Sequence, residues 1–184
     1  HEAILAARAL VAKIRAGDEM AKIEAKRIIL GNVQSSIKET LLDFHETKEA
    51  ITPEDMALFL SLTNDASIEV RSRAVASIFV YSGDDPVVNE IVHDVITKEK
   101  DPESKDKLVK AVATAKAGSH YTQNDMDFFV RLLEGNVDDI VKKQVIESLM
   151  YMEFLDALPY IESIAALTGS EALRKTAEDA VFIM

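Results

Sequence analysis

The side chains in this sequence that could do acid–base or metal chemistry are histidines and closely spaced acids. The four histidines are His1, His45, His93 and His120. No two of them have the i, i+4 spacing of an H-E-x-x-H zinc site, so packed or surface histidines are the better interpretation. The acid pairs are Asp84-Asp85, Asp125-x-Asp127 and Asp138-Asp139. Each pair lies at a predicted helix start, where interaction with the helix dipole explains it without a metal ion.

Other catalytic signatures are missing from the sequence. Cysteine is absent, which excludes disulfides, thiolate ligands for zinc or iron–sulfur clusters, and a cysteine nucleophile. The G-x-S-x-G pattern, the Walker loop and the dinucleotide fingerprint do not occur. We therefore predict no catalytic residue, no cofactor and no metal site, and a protein that is not an enzyme.

Basic residues recur along the chain at nearly constant spacing. Each follows an apolar or small residue and precedes an apolar residue three positions further on. The five bases are Lys38, Arg71, Lys105, Lys142 and Arg174, at separations of 33, 34, 37 and 32 residues. We expect them to pair with polar neighbours such as Asp65 and to orient successive structural repeats. The alternative is a ladder of bases that binds an acidic segment.

A second group of bases lies on the flanks of the same predicted helices. These are Arg73, Lys107 and Lys143. They are the candidates for direct contact with a partner, although ordinary solvated surface is the favoured interpretation.

The elements that position all these residues are predicted to be helices. Apolar residues recur at spacings of three and four almost throughout, and no alternating run is long enough for a strand. Helix starts such as 52–55 place a capping residue before proline and acids, and glycines separate the periodic segments. We predict eleven helices, over residues 2–16, 18–30, 33–47, 52–63, 67–81, 84–99, 102–116, 122–134, 137–152, 155–167 and 170–183.

The sequence also repeats internally. Segment 52–62 returns seventy residues later as 122–132, with Thr, Asp, Met, Phe and Leu at matching positions. Half of that period appears in the spacing of the five bases Lys38, Arg71, Lys105, Lys142 and Arg174, which we call the basic column. A period of about 30 to 40 residues built from two short helices is the signature of an α-solenoid.

Two segments resemble the HEAT-repeat family. The pattern Asp65-x4-Val70-Arg71-x2-Ala74 resembles its inner-helix motif, and residues 156–164 resemble its outer-helix motif. The resemblance covers nearly the whole chain. It implies an all-α, armadillo-like, right-handed superhelix of stacked antiparallel helix pairs: about five pairs and an N-terminal half repeat in one domain. The implied units are 2–16, 18–47, 52–81, 84–116, 122–152 and 155–183; the copy at 84–116 departs from the motif at Ser104, which leaves its register open.

Charge and hydropathy limit the partners. The 184 residues carry a formal net charge of −11, which has the wrong sign for a nucleic-acid binder. The negative excess falls on the helices assigned to the outer row, whereas the inner row is balanced. We see neither a membrane span nor a signal peptide, and we expect a cytoplasmic protein without membrane or nucleic-acid partners. Because the chain lacks an initiator methionine and its end, 180–184, is apolar, we expect a trimmed chain whose C-terminal end contacts a further segment or a neighbour.

The function implied by the HEAT resemblance is a non-enzymatic scaffold that binds a protein or peptide along the inner helix row. Two alternatives stay open. Loop 16–21 resembles the repeat junctions of HEAT-like phycobilin lyases, which would make the chain an enzyme or an enzyme subunit. The missing methionine and the apolar end would also suit a regulatory segment of a larger chain.

Overall fold

The computed structural model describes residues 2–42, 52–82, 85–116 and 121–184. These residues form eleven α-helices and one 3₁₀ turn, with no strand among them, so the predicted all-α class is confirmed. The helices are α1 (Glu2–Arg15), α2 (Glu19–Ile29), α3 (Ser35–Leu42), α4 (Pro53–Leu62), α5 (Ile68–Ser82), α6 (Pro86–Lys98), α7 (Pro102–Ala115), α8 (Gln123–Glu134), α9 (Asp139–Tyr151), α10 (Leu158–Leu167) and α11 (Glu171–Ile183).

The helix bounds agree with the sequence prediction to within two residues wherever both are described, with one exception. Residues 155–157, predicted as helix, form a 3₁₀ turn before α10. Pro159 lies in the first turn of α10, a position that suits a residue without an N–H donor. The predicted segment 43–47 lies outside the described residues, as do His1, His45, Asp84 and His120.

Contacts divide the chain into two compact units, His1–Tyr81 and Ser82–Met184. In the first unit, α1 packs against α2 and α3, and α2 also packs against α3. In the second unit, the neighbouring helices pack as the pairs α6–α7, α8–α9 and α10–α11. Each pair also packs on the next, because α7, α9 and α11 follow one another in contact, as do α6, α8 and α10. The single-domain prediction stays a prediction.

Each unit has an apolar core made by one face of its helices. Among the fully buried side chains of the first unit are Ile29, Leu41, Phe59, Ile78 and Phe79. Among those of the second are Ile96, Leu108, Phe129, Leu132 and Ile146. Full burial of one such side chain contributes roughly 1.5–3 kcal/mol to folding.

The turn between α1 and α2 shows how the local sequence sets a helix start. Gly17 has φ +88°, in the left-handed region that side chains with a Cβ rarely adopt. The next residue, Asp18, caps α2 by accepting a 3.0 Å hydrogen bond from the Ala21 amide. Within residues 16–21, Gly17 thus forms the turn and Asp18 the cap that starts α2.

Candidate functional site

The five bases of the predicted column occupy one equivalent position. The backbone amide of each base donates to the carbonyl oxygen of the residue four positions earlier, which precedes the helix. The amide–carbonyl pairs are Lys38–Gln34, Arg71–Ser67, Lys105–Asp101, Lys142–Asp138 and Arg174–Ser170. Each base is thus the fourth residue of its helix, counted from the residue after the cap, and this register holds for the copy at 84–116 as well.

Two of these bases form ion pairs with an aspartate in a later loop: Lys38 of α3 with the loop before α5, and Lys105 of α7 with the loop before α9. Lys38 Nζ lies 2.7 Å from Asp65 Oδ2, before α5, and Lys105 Nζ lies 3.0 Å from Asp138 Oδ2, before α9. Burial by itself raises the pKa of Asp65, but hydrogen bonds from Lys38 and the Ser67 amide outweigh it and the pKa is lowered. The hydrogen bond from Lys105 likewise lowers the pKa of Asp138.

The two arginines of the column bond to their own loops instead. Arg71 donates to the carbonyl oxygens of Asp65 and Ala66 at 2.8 and 3.1 Å. Arg174 donates to the carbonyl oxygen of Thr168 at 2.9 Å. Lys142 is half-buried at the equivalent position of α9. The column thus makes contacts that fix loops and helix starts, whereas its part in orienting repeats stays a prediction.

Helix α9 exposes one narrow stripe. It packs against α7, α11 and α8, and its exposed residues Ile140, Lys143, Glu147 and Tyr151 follow one another at spacings of three and four. Tyr151 is 67% exposed and Ile140 is 52% exposed. Two large apolar side chains and a base therefore lie on a side of α9 that none of the described helices covers.

The helices α7 and α11 also carry an exposed base, at nearly the same distance from the helix start as Lys143 in α9. Lys105 and Asp138 bring the starts of α7 and α9 together, so these two helices run side by side in the same direction. Lys107 is the sixth residue of α7, counted as above, and Lys143 and Lys175 are the fifth residues of α9 and α11; all three are exposed. We call the surface made by Lys107, Ile140, Lys143, Tyr151 and Lys175 the α7–α9–α11 face.

The sequence analysis selected only part of this surface. Lys107 and Lys143 were predicted and lie in it, whereas Lys175 was missed, although counting from the cap Ser170 would have found it. Arg73 is the sixth residue of α5, at the position of Lys107, and is exposed in the first unit. The mixed charge of the stripe is visible in an ion pair between Lys143 Nζ and Glu147 Oε1, 3.7 Å apart.

The acids at two helix starts do more than interact with the helix dipole. Asp55 and Asp125 each close a capping box with the threonine three residues earlier, and each is almost completely buried. Asp55 receives Lys26 at 2.5 Å and Lys22 at 3.7 Å, whereas Asp125 receives Lys116 at 2.7 Å. The interpretation of Asp125 from the dipole alone was therefore incomplete, because the structure buries it in an ion pair.

A polar cleft lies between α6 and α8 in the second unit. Its volume is about 180 Å³, and its lining is formed by Pro86, Asn89, Asn124, Asp127, Phe128 and Arg131. Arg131 Nη1 lies 2.6 Å from Glu90 Oε2, and Gln123 donates to Asp127 Oδ1 at 2.9 Å. The sequence analysis did not find this cleft, because no motif marks residues that meet only when two helices pack.

His93 lies one turn beyond Asn89 on the same helix. Its ring meets the ring of Phe128 edge-on, with centroids 6.4 Å apart. Burial and the charge of Arg131 lower its pKa, against the opposite effect of Glu90 and Asp94. The surroundings of His93 therefore favour the neutral imidazole.

Glu90, His93 and Asp94 bring three possible metal-ligand atoms within 4.8 Å of one another. The prediction of no metal site did not consider this E-x-x-H-D arrangement. Glu90 is paired with Arg131, however, and Asp94 with Lys98 at 2.5 Å. Both carboxylates are thus already neutralised by cations, which favours a set of ion pairs over a metal centre.

Exposed apolar side chains also occur on the last two helices. Leu167, Phe182 and Ile183 are 82%, 91% and 67% exposed. Phe182 and Ile183 belong to segment 180–184, from which a contact at the apolar C-terminal end was expected, whereas Leu167 lies outside that segment.

Comparison of the chain with protein-family models, curated proteins and solved structures finds no match. The HEAT resemblance therefore rests on the motifs quoted above. Within the described ranges, no helix is both long and apolar enough to cross a membrane.

Proposed function

We propose that this chain is a HEAT-like helical-repeat scaffold that binds a partner segment through its inner helix row. In this proposal the helix pairs continue as a right-handed superhelix, and the second unit contributes the α7–α9–α11 face as the binding surface. The observation that carries the proposal is the exposed stripe of α9, where Ile140 and Tyr151 flank Lys143.

The chemistry of this face selects the partner. Lys107, Lys143 and Lys175 supply three exposed ammonium groups, and Ile140 and Tyr151 supply apolar area at the two ends of the α9 stripe. Tyrosine is enriched among the residues that dominate binding energy, because it buries a large ring at little cost in side-chain freedom. A segment that alternates acidic and apolar side chains complements this arrangement.

A peptide-display selection on the intact chain tests this proposal. Random peptides are selected on immobilised protein, and the Kd of enriched peptides is measured for the wild type and the triple variant Lys107→Glu, Lys143→Glu, Lys175→Glu. We expect acidic, aromatic-containing peptides whose Kd rises at least about tenfold in the triple variant, because charge reversal replaces attraction by repulsion. The Tyr151→Ala variant, which leaves every charge in place, should weaken the same peptides about five- to tenfold.

The matched control reverses three exposed bases elsewhere, in the variant Arg8→Glu, Lys13→Glu, Lys100→Glu. It changes the net charge equally and should leave the Kd within about twofold. Selection of no peptide, or of peptides that bind both triple variants equally, would overturn the proposed surface.

A further inference from the structure

We infer that the α6–α8 cleft is a second binding site, which takes one lysine or arginine side chain of a basic, extended peptide. The site lies on the other helix row from the α7–α9–α11 face and does not depend on the function proposed for that face.

The first observation is an unsatisfied acceptor. Asn89 is only 7% exposed, it lines the cleft, and its Oδ1 atom has no hydrogen-bond partner. Buried polar atoms in folded proteins are nearly always paired, and one left unpaired destabilises the fold. A leucine, which has the same branched shape, would avoid that cost, so the amide is suited to a donor that comes from outside the chain.

The second observation is the size of the cleft. Its volume of about 180 Å³ is below the roughly 300–1,000 Å³ of sites that hold a whole small molecule. It suits a single side chain. A shallower depression of about 420 Å³ adjoins it, because Pro86 lines both; the other lining residues there are Val87, Glu90, Ile91 and Asp94.

The third observation is the charge of the two depressions. Their linings contain the carboxylates of Glu90, Asp94 and Asp127. Arg131 pairs with Glu90 and Lys98 pairs with Asp94, so Asp127, which accepts from the neutral Gln123 amide, supplies the net negative charge of the lining. A cationic donor in the cleft therefore meets the Asp127 carboxylate and the ring of Phe128, and the buried Asn89 Oδ1 becomes its acceptor once the amide turns toward the cleft.

The neighbouring depression defines the residues that flank the cation. Val87 is 67% exposed and forms its apolar part together with Ile91. A chain that crosses Pro86 would place its basic side chain in the cleft and an aliphatic neighbour on Val87. The ligand is thus an extended segment in which aliphatic residues surround a lysine or arginine.

The test uses the intact, isotope-labelled chain and three tripeptide amides, in which leucines flank lysine, arginine or norleucine. The lysine and arginine peptides should shift the Asn89 side-chain amide signals in NMR spectra with Kd values of about 1 mM, as expected for a small contact. Norleucine has the length of lysine without its charge and should bind at least about tenfold more weakly. Comparison of the lysine and arginine peptides shows which cation fits better.

The critical variant is Asn89→Leu, which removes the acceptor and keeps the branched shape of the side chain. We expect it to weaken the lysine peptide about tenfold or more, measured in both proteins from the side-chain amide signals of Asn124, which also lines the cleft, and to raise the melting temperature by about 2–4 °C, since the unsatisfied amide is gone. The control Asn64→Leu changes an exposed asparagine of the first unit and should leave peptide binding unchanged.

Three results would overturn the inference. Equal binding of the norleucine peptide would show an apolar contact only, and unchanged binding in Asn89→Leu would show attraction by surface acids only. No shift at about 10 mM peptide would show that the cleft holds solvent alone. The triple variant at Lys107, Lys143 and Lys175 should bind the lysine peptide normally, so failure of either proposed site is recognised separately.

Discussion

The two units contain the same local motif and complete it with different partners. In the first unit, Thr52 and Asp55 form a capping box, and Asp55 receives Lys26 and Lys22 from helix α2. In the second unit, Thr122 and Asp125 form the same box, but Asp125 receives Lys116 from the end of α7, nine residues earlier. The motif is thus a local property, whereas the cation that neutralises its buried carboxylate is supplied by whichever helix end lies nearby.

The two ion pairs also differ in exposure. Lys22 and Lys26 are 19% and 23% exposed, whereas Lys116 is 10% exposed. A lysine that reaches water can be resolvated when its partner is removed, but a buried lysine cannot. The same substitution should therefore have a larger effect in the second unit.

The largest expected difference is between Asp125→Ala and Asp55→Ala. Asp125→Ala removes the carboxylate whose two oxygens bond to the buried Lys116 at 2.7 and 2.8 Å, and it should lower the free energy of unfolding by about 3–5 kcal/mol. Asp55→Ala loses a cap and an ion pair whose lysines can turn to water, at about 2 kcal/mol. Urea unfolding measures the loss, and hydrogen exchange in α4 and α8 assigns it to a unit. Equal losses at the two sites would contradict the distinction.

The second difference is between the lysines. Lys116→Met removes the cation from a carboxylate that is then held by the Thr122 donors alone, and should cost about 2–3 kcal/mol. Lys26→Met should cost less than about 1 kcal/mol, because Lys22 lies 3.7 Å from the same carboxylate and can replace it. The double variant Lys22→Met, Lys26→Met should lose about as much stability as Lys116→Met, because both lysines near Asp55 are then gone. If the double variant is only as destabilised as Lys26→Met, Lys22 does not replace Lys26. Thermal unfolding of the variants in parallel is sufficient to check this order.

The third prediction concerns pH. Burial raises the pKa of Asp55, but hydrogen bonds from Lys26 and Thr52 outweigh it and lower the pKa to about 2. A carboxyl with a depressed folded-state pKa stabilises the fold above its unfolded value near 3.9 and loses that stabilisation as the pH falls toward 2. The expected contribution is on the order of 2 kcal/mol.

The carboxyl signal of Asp55 in an NMR titration should have its midpoint near pH 2. Unfolding of Asp55→Asn should be less pH-dependent than that of the wild type between pH 4 and 2. A midpoint near the ordinary value would show that Lys26 does not hold the carboxylate in solution.

The smallest difference is between the two forward-reaching bonds of the basic column. Asp65 is 12% exposed and accepts both Lys38 and the Ser67 amide, whereas Asp138 is 47% exposed and makes no cap bond to its helix. Both alanine variants leave a lysine that is little exposed, Lys38 at 14% or Lys105 at 11%, so each should cost about 2–4 kcal/mol, with the larger loss at Asp65 because the bond to the Ser67 amide is lost as well. Adding 0.5 M salt should reduce the second loss more than the first, because exposed pairs are screened more strongly. A larger loss at Asp138, measured by urea unfolding, would reverse the assignment.

How far the sequence predicts this molecule depends on the distance over which each feature is specified. The capping box at Thr122 is written in four adjacent residues, and α8 begins at the next residue, as predicted. Lys175 is a case in which the information was present but unused, because its position follows from counting four or five residues from a cap. The cleft at Asn89 could not be predicted, since Asn89 and Arg131 are 42 positions apart and meet only through the packing of α6 on α8.

The sequence by itself determined the helices, their ends and the recurring fourth-residue base, because hydrogen bonding within a turn, capping and apolar periodicity act over a few residues. Only the tertiary structure decided which lysine neutralises Asp55 or Asp125, which stripe of α9 stays open and where the oxygen of Asn89 is left unpaired. Those outcomes depend on burial and on the approach of separate helices, and neither is encoded in the spacing of residues along one helix.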